Sequence, residues 1–507
     1  MHSLPPRQRW TANGTGLWHG AHMDEPGISR MGRIALLIAP AILAYVFWSD
    51  PPSGMDVAAW RTAGVVTAMA ILWITEAIPI PVTAMLPLVL FPLLGVAPIQ
   101  DVAAPYANPV IYLFLGGFIL ALGLQRWRLH ERVAFWIVGR TGSRASRVLG
   151  GFMAATAFVS MWINNSATTV MMLPMAISVA ALFRDHLPGD ERAQAGIGLA
   201  LMLGVAYASS IGGIGTLIGT APNALMAGFL AENYGYKIGF GQWMLVGVPL
   251  VVAGLVLTHA VLVRACLADR RLEVPGLSEV VRAEAAKLGG WKRGEMYVAA
   301  VFLLAAAAWL GQPLIRPWIP GLSDAGIAMM AGVALFLIPV DWRRGEFVLS
   351  ARDLKDLPFG VLVLLGGGLS MAEMVDKTGL AAWLGSCTAA WQGFPVVVVV
   401  VLVTVSILFL TELTSNTATT ATFLPVVASI AVGMGEDPIL LVVPAVMAAS
   451  CAFMLPVGTP PNAIVFASGL VPLPRMARTG LLVNMVFVVL IPLIVLTIGA
   501  RVLVASP

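Results

Sequence analysis

Apolar runs of helical length recur along this chain at about 33–48, 57–76, 80–97, 109–125, 193–217, 243–266, 294–312, 324–340, 358–375, 439–457 and 480–503. Runs of this length match a hydrocarbon core of roughly 30 Å at 1.5 Å of rise per residue, so each predicts a membrane span. Two further regions, 148–183 and 396–433, follow a different pattern. Each is apolar throughout except for a small polar cluster at its middle, Asn164-Asn165-Ser166 in the first and Ser415-Asn416-Thr417 in the second. Each arm of the first is short by this measure: 149–163 would rise only ~22 Å as a helix, against a core of roughly 30 Å. This predicts two helical hairpins.

Charge decides how the hairpins sit, because Lys and Arg concentrate in cytoplasmic loops. Six arginines lie between Arg126 and Arg147, and a second cluster holds Arg264, Arg270, Arg271, Arg282, Lys287, Lys292 and Arg293. If 148–183 crossed the membrane, three crossings would separate these clusters and one of them would face outside. If it enters and returns on one side, both are cytoplasmic. Arg343, Arg344, Arg352, Lys355, Arg475 and Arg478 then fall inside as well, and the loops 49–56 and 98–108, without Lys or Arg, fall outside. The expectation is eleven spans, with the N-terminus cytoplasmic and the C-terminus periplasmic. The re-entrant hairpin 148–183 enters from the cytoplasm, and its counterpart 396–433 from outside. Re-entrant backbone is tolerated only where protein buries it or a watery cavity meets it.

Composition narrows the class further. Of 507 residues 59% are hydrophobic and 11% charged, against about 25% charged in an ordinary soluble domain. The mean hydropathy is +0.88. A soluble enzyme, a nucleic-acid binder and a secreted disulfide scaffold are excluded as readings of the whole chain. The net charge of +4 reflects basic inner loops. Cys266, Cys387 and Cys451 suggest no disulfide framework, and the six histidines form no H-E-x-x-H pattern. No G-x-x-x-x-G-K-[ST] loop is present, so ATP-driven pumping by this chain alone is out. Residues 1–32 are polar and rich in Gly, Pro and Arg, and read as a disordered cytoplasmic arm.

The two halves repeat. Ser160-Met-Trp-Ile-Asn164-Asn165-Ser166-Ala-Thr-Thr is echoed 251 residues later by Thr411-Glu-Leu-Thr-Ser415-Asn416-Thr417-Ala-Thr-Thr. Leu115-Gly116-Gly117 pairs with Leu365-Gly366-Gly367, and Gly219-Thr220-Ala221-Pro222-Asn223 with Gly458-Thr459-Pro460-Pro461-Asn462. The parity argument puts matching elements on opposite sides. Inverted repeats with broken helices mark secondary transporters, whose substrate and ion sites lie at the repeat interface.

The breaks carry chemistry. A Ser/Asn/Thr tip offers oxygens that suit a hard cation such as Na⁺, and a helix N-terminus that suits a carboxylate or sulfate. The Gly-Thr-x-Pro-Asn breaks repeat the offer, since Pro removes a donor and Gly admits close backbone. No Lys or Arg lies within a few residues of the four breaks. Bound cations are therefore the natural counter-charge to a dianion. An isolated Asn, Ser or Thr in a membrane helix commonly only hydrogen-bonds its neighbours, but clusters duplicated in opposite halves favour function. Glu76 and Glu412 stand as rival proton carriers. Glu76 has an equal claim to a structural place near water, and Glu412 could instead orient the tip. Glu373 and Asp376 read as interfacial. Trp60, Trp243 and Trp318 read as packing or interface anchors, and Gly-Gly pairs as close packing.

With these residues in view, the chain resembles the divalent anion:sodium symporter family, which includes the mammalian sodium-coupled dicarboxylate, citrate and sulfate carriers. The resemblance runs from about residue 30 to the end. It rests on the intact Ser415-Asn416-Thr417, on Leu-Pro-Val-Gly-Thr-Pro-Pro-Asn-Ala at 455–463 and on Phe-Leu-Gly-Gly-Phe at 114–118. It implies an all-α polytopic protein, a homodimer, with an elevator-type transport domain moving against a scaffold. Scaffold-type spans would be 33–147 and 294–395. The transport domain would take 148–266 (hairpin 148–183, broken helix 193–240, span 243–266) and 396–503 (hairpin 396–433, broken helix 439–475, span 480–503). The segment 267–293 would be a cytoplasmic loop. By position, Ser160, Asn164, Asn165 and Gly219 would line one sodium site, and Thr411, Thr414, Asn416 and Gly458 another. The anion would lie among Asn164, Asn165, Ser166, Ser415, Asn416, Thr417, Thr459 and Pro460. One departure is plain: the first tip reads Asn164-Asn165-Ser166 where the family has Ser-Asn-Thr.

The leading expectation is Na⁺-coupled import of C4-dicarboxylates such as succinate, malate or fumarate across a bacterial inner membrane, by a carrier and not an enzyme. A sodium-independent dicarboxylate exchanger, a sulfate, citrate or tartrate carrier and a proton-coupled carrier remain as alternatives.

Overall fold

The structure is a computed structural model, and it describes residues 29–185, 190–267, 273, 277–387 and 393–504. Most of the expected N-terminal arm (residues 1–28), together with Arg270 and Arg271, lies outside the described residues. Helices make up nearly all of what is described, with a small antiparallel ribbon pairing Pro339–Asp341 with Glu346–Phe347. The first helix, Arg30–Trp48, starts inside the segment expected to be an arm. Ser29 explains the start, since its hydroxyl accepts the Gly32 N–H at 2.9 Å and caps the first turn.

Ten helices among the described residues are long and apolar enough to cross a membrane. Three expected spans fall short of that length. The run 80–97 is not one helix but two, Ile80–Thr83 and Pro87–Leu93. Pro79, Pro81, Pro87 and Pro92 remove backbone donors along it, so an unbroken ladder cannot form. The Ala84 carbonyl left between the two pieces accepts the Tyr106 hydroxyl at 2.5 Å. The runs at 324–340 and 439–457 form the shorter helices Asp324–Leu337 and Ile439–Ala449.

Each polar cluster does break its apolar stretch, leaving a pair of helices joined at the cluster and called a hairpin below. The first has arms Ala145–Ser160 and Asn165–Asp185, and the second Val396–Thr411 and Asn416–Met434. The two arms of each are unequal. The first arms have 16 residues each, while the second arms have 21 and 19. The longer arms are by length able to span, so shortness holds for the leading arm only.

Each hairpin is followed by a broken helix. Glu191–Gly213 stops, the backbone crosses to Thr220, and Ala221–Tyr234 resumes until Gly235 turns it off in the left-handed region. In the second half Ile439–Ala449 stops and Pro460–Phe466 resumes. Long helices then follow, Phe240–Cys266 in the first half and Leu473–Ile494 in the second. These start three and seven residues before the expected 243 and 480. The latter continues to Val504 with wider π-type turns.

The Gly-Gly pairs do pack closely. A side chain at Gly116 would meet the Ala328 backbone at 2.4 Å, and one at Gly367 would meet the Ala84 carbonyl at 2.1 Å. Cross-packing then joins the halves. The second arm of the first hairpin lies against Pro460–Phe466, and that of the second hairpin against Ala221–Tyr234. Each hairpin therefore meets the helix that follows the break of the opposite repeat.

Candidate functional site

At the first tip the helix Asn165–Asp185 begins with Asn165, and Asn164 is its cap. The Asn164 side-chain oxygen accepts the Ala167 N–H at 2.8 Å, which leaves its exposed amide N–H₂ free to face outward. At the second tip Ser415 occupies the cap position with no side-chain bond to the helix. The departure from Ser at position 164 thus has a local physical role: Asn is as good a cap as Ser and adds donors. Asn165, Ser166, Ser415, Asn416 and Thr417 are half-buried, which leaves their polar atoms within reach of a small solute. Two helices of 21 and 19 residues point their N-termini, with their positive ends, into the tips.

Behind the tips the two halves build the same cluster of oxygens. The buried Ser160 hydroxyl lies 2.8 Å from Asn165 Oδ1 and 2.7 Å from the Ser209 carbonyl. The buried Thr411 hydroxyl lies 2.8 Å from Asn416 Oδ1 and 2.8 Å from the Ala449 carbonyl. In each cluster a single hydroxyl proton faces two oxygens, one from the tip asparagine and one from the backbone. Such a site suits a hard cation. Thr169 and Thr420 each donate to the backbone of the tip asparagine, at 2.8 Å in both cases.

Gly219 and Gly458 differ in their surroundings. A side chain at Gly219 would strike the Gly213 carbonyl oxygen at 2.4 Å, and one at Gly213 would strike Asn165 Oδ1 at 2.6 Å. Glycine here lets the first break lie directly on the tip asparagine. Gly458 instead abuts Glu412, whose carbonyl and carboxylate oxygens would lie 3.1 and 3.3 Å from a β-carbon at that position. Thr414 turns away from the oxygen cluster; its hydroxyl bonds the Leu410 carbonyl at 2.9 Å and Thr419 at 2.5 Å. Thr459 is buried and Pro460 exposed, at the start of the helix that faces the first hairpin.

Several participants have no role that the sequence pattern assigns. Asn223 Nδ2 donates to the carbonyls of Gly213, Ile214 and Thr216 at 3.2, 3.3 and 2.8 Å. Asn462 Nδ2 does the same for Ala452 and Leu455 at 3.1 and 2.9 Å. The closing Asn of each Gly-Thr-x-Pro-Asn break thus clamps the unwound backbone ahead of it. Its place in the duplicated motif is the signal that could have found it. Trp243 is fully buried and donates to the Ile214 carbonyl at 2.9 Å, so it braces the break and is no interface anchor.

Glu412 holds the second break. Its carboxylate accepts the N–H groups of Phe453 (2.7 Å), Met454 (3.0 Å) and Leu455 (3.2 Å), and Asn484 Nδ2 at 2.8 Å. Among the described residues four donors bond it and no acceptor does, which fits an acceptor-only carboxylate in a structural role. The matching residue of the first half is Met161, whose carbonyl accepts the Thr216 hydroxyl at 2.5 Å. Glu76 is exposed and ends the helix Val57–Thr75 in the left-handed region. Glu373 pairs with Lys377 at 2.5 Å, at the end of its helix.

Known proteins share this architecture. Two solved transporters have the same fold: the YdaH transporter of Alcanivorax borkumensis, with a TM-score of 0.55 and 15% identity over 94% of this chain and 100% of that one, and MtrF of Neisseria gonorrhoeae, with a TM-score of 0.54 and 11% identity over 92% and 95%. Closer in sequence are the proteins named sodium-dependent dicarboxylate transporter SdcS. That of Staphylococcus saprophyticus is 39% identical and that of Staphylococcus aureus strain USA300 38% identical, each over 91% of this chain and 90% of the relative. The family profile described as the sodium:sulfate symporter transmembrane region matches residues 31–504. The chain is a multi-pass membrane protein and belongs to the sodium:sulfate symporter, or divalent anion:sodium symporter, family.

Proposed function

We propose that this protein is a secondary carrier, not an enzyme, that couples Na⁺ entry to the import of C4-dicarboxylates such as succinate, malate or fumarate. The observation that carries this reading is the duplicated oxygen cluster, Ser160 with Asn165 and Thr411 with Asn416, each placed behind a helix N-terminus. Relatives named for sodium-dependent dicarboxylate transport support it. In this reading Ser160, Asn165 and the backbone at Gly219 hold one Na⁺. Thr411, Asn416 and the backbone at Thr414 and Gly458 hold a second. The anion's carboxylates lie between the tips, held by Asn164, Asn165, Ser166, Ser415, Asn416, Thr417 and the Thr459–Pro460 turn. The cations neutralise the dianion, since no Lys or Arg lies within a few residues of the breaks along the chain.

The same reading assigns 148–266 and 396–503 to an elevator-like moving domain, and 33–147 and 294–395 to the scaffold of a homodimer in the inner membrane. A cavity of about 680 Å³ supports access from the cytoplasm. It runs from Ile163 and Ala167 beside the first tip, along Met175 and Ser178, to Arg128 and Lys287. Labelled succinate uptake into proteoliposomes tests the function. Concentrative uptake into empty vesicles should require an inward Na⁺ gradient and fail with choline. Uptake only into succinate-preloaded vesicles, indifferent to Na⁺, would establish an exchanger instead.

A further inference from the structure

A second polar cavity, of about 280 Å³, lies away from the tips where the two halves meet. Arg192 reaches it from the start of the helix Glu191–Gly213, Arg264 from the end of Phe240–Cys266, and Arg475 from the first turn of Leu473–Ile494. Two guanidinium groups thus come from the first half and one from the second. The Arg475 guanidinium donates to the Ala265 carbonyl at 3.1 Å, and Arg264 donates to Ala260 of its own helix at 3.3 Å. Among the described residues none of the three forms an ion pair, whereas Arg126, Arg128, Arg132 and Arg144 pair with Asp353, Glu131, Glu295 and Glu273.

Two of the three also sit where a cation is disfavoured. Arg192 and Arg475 occupy the first turns of long helices, whose N-termini already carry positive partial charge. Asp190 and Glu191 offset this at the first helix. The second has Pro472 at its cap and no acidic residue in its first turn. Solvated arginines at a membrane face need not converge; these three line one cavity. We propose that it binds a phosphate group, bridging the two halves, supplied by an anionic phospholipid headgroup or by free phosphate. Guanidinium forks match phosphate oxygens in geometry as well as charge. Leu470, 39% exposed in the wall of the cavity, and Leu473, 44% exposed two residues before Arg475, give acyl chains a surface that free phosphate does not use.

The test is thermal unfolding of the full chain in neutral detergent, with dioleoyl phosphatidylglycerol, with dioleoyl phosphatidylcholine, and with sodium phosphate against sodium chloride at matched ionic strength. Phosphatidylglycerol or phosphate should raise the midpoint by about 2–4 °C, as a ligand in excess of its dissociation constant does. A shift from the lipid alone names the headgroup, and a shift from phosphate as well names the free ion. Arg192→Gln/Arg264→Gln/Arg475→Gln should abolish the shift, and the exposed single change Arg264→Gln should at least halve it. Arg282→Gln/Arg293→Gln should leave it whole. A shift that survives in the triple variant, an equal shift with phosphatidylcholine, or no shift with either anion would overturn the proposal.

Discussion

At the scale of single residues, the two halves are alike in their oxygen clusters and unlike in how each break is held. Both breaks are clamped by their closing asparagine, Asn223 or Asn462; the first adds the neutral groups Thr216 and Trp243, and the second the Glu412 carboxylate. Glu412→Gln puts an amide N–H₂ among donors. At least one of Phe453, Met454, Leu455 or Asn484 then loses its acceptor, at about 1–3 kcal/mol for a buried group. The variant should unfold at lower temperature and need more Na⁺ for half-maximal uptake, with its pH dependence unchanged. A proton-carrying Glu412 predicts the reverse, a changed pH profile with the Na⁺ requirement intact, so titrating uptake against Na⁺ and pH separates the two. Asn164→Ser tests the departure at the first tip. Ser also caps helices, so stability should change by no more than a few tenths of a kcal/mol. Competition of succinate uptake by citrate, tartrate and sulfate should shift, because outward amide donors are lost; an unchanged profile would show that Asn164 serves the helix alone.

The tips are legible in the sequence because a polar triplet inside an apolar run has few other uses, and its second copy makes chance a poor account. What stays hidden is long-range. Glu412 meets backbone 41–43 residues away, and the Ser209 and Ala449 carbonyls reach the clusters from 49 and 38 residues away. Such partners are fixed by packing, which one chain's pattern does not display.

At the scale of elements, hydrophobic length locates nearly every helix, and the exceptions have local causes. In 80–97 and 324–340 the apolar count outweighs prolines at which the helix stops; in 439–457 the helix ends at Ala449, ahead of backbone that Glu412 holds; and in the two tip-bearing stretches the short leading arm hides a longer second one. Close backbone approach is likewise invisible without partners. Gly198 and Gly212 lie on the same helix, yet a side chain at Gly212 would meet the Ala157 backbone of the first hairpin at 2.3 Å, while the nearest atom to one at Gly198 is at 4.0 Å. Gly212→Ala should therefore destabilise by about 1–3 kcal/mol through overpacking. Gly198→Ala should be neutral or stabilise by up to about 1 kcal/mol through helix propensity. Midpoints of thermal unfolding for the pair check this, and equal shifts would show that the hairpin does not press on that helix.

At the scale of the whole molecule, charge rather than length argues that the hairpins return to the side they enter from. With the three native cysteines replaced, Arg140→Cys and Arg282→Cys should label from the same side with a membrane-impermeant maleimide, and Ser53→Cys from the other. Labelling of positions 140 and 282 from opposite sides would make the first hairpin a full crossing and undo the inverted-repeat geometry.

In the proposed mechanism, sodium coupling rests most directly on two cation sites, one per repeat. Equilibrium binding of ²²Na⁺ to the purified protein in the presence of succinate, for the wild type, Asn165→Ala and Asn416→Ala, counts them. Each variant should keep its fold and bind one ion fewer than the wild type, because each removes an oxygen from a different cluster. An undiminished ion count in both variants would contradict the paired sites and leave the asparagines as hydrogen-bonding residues of the hairpins.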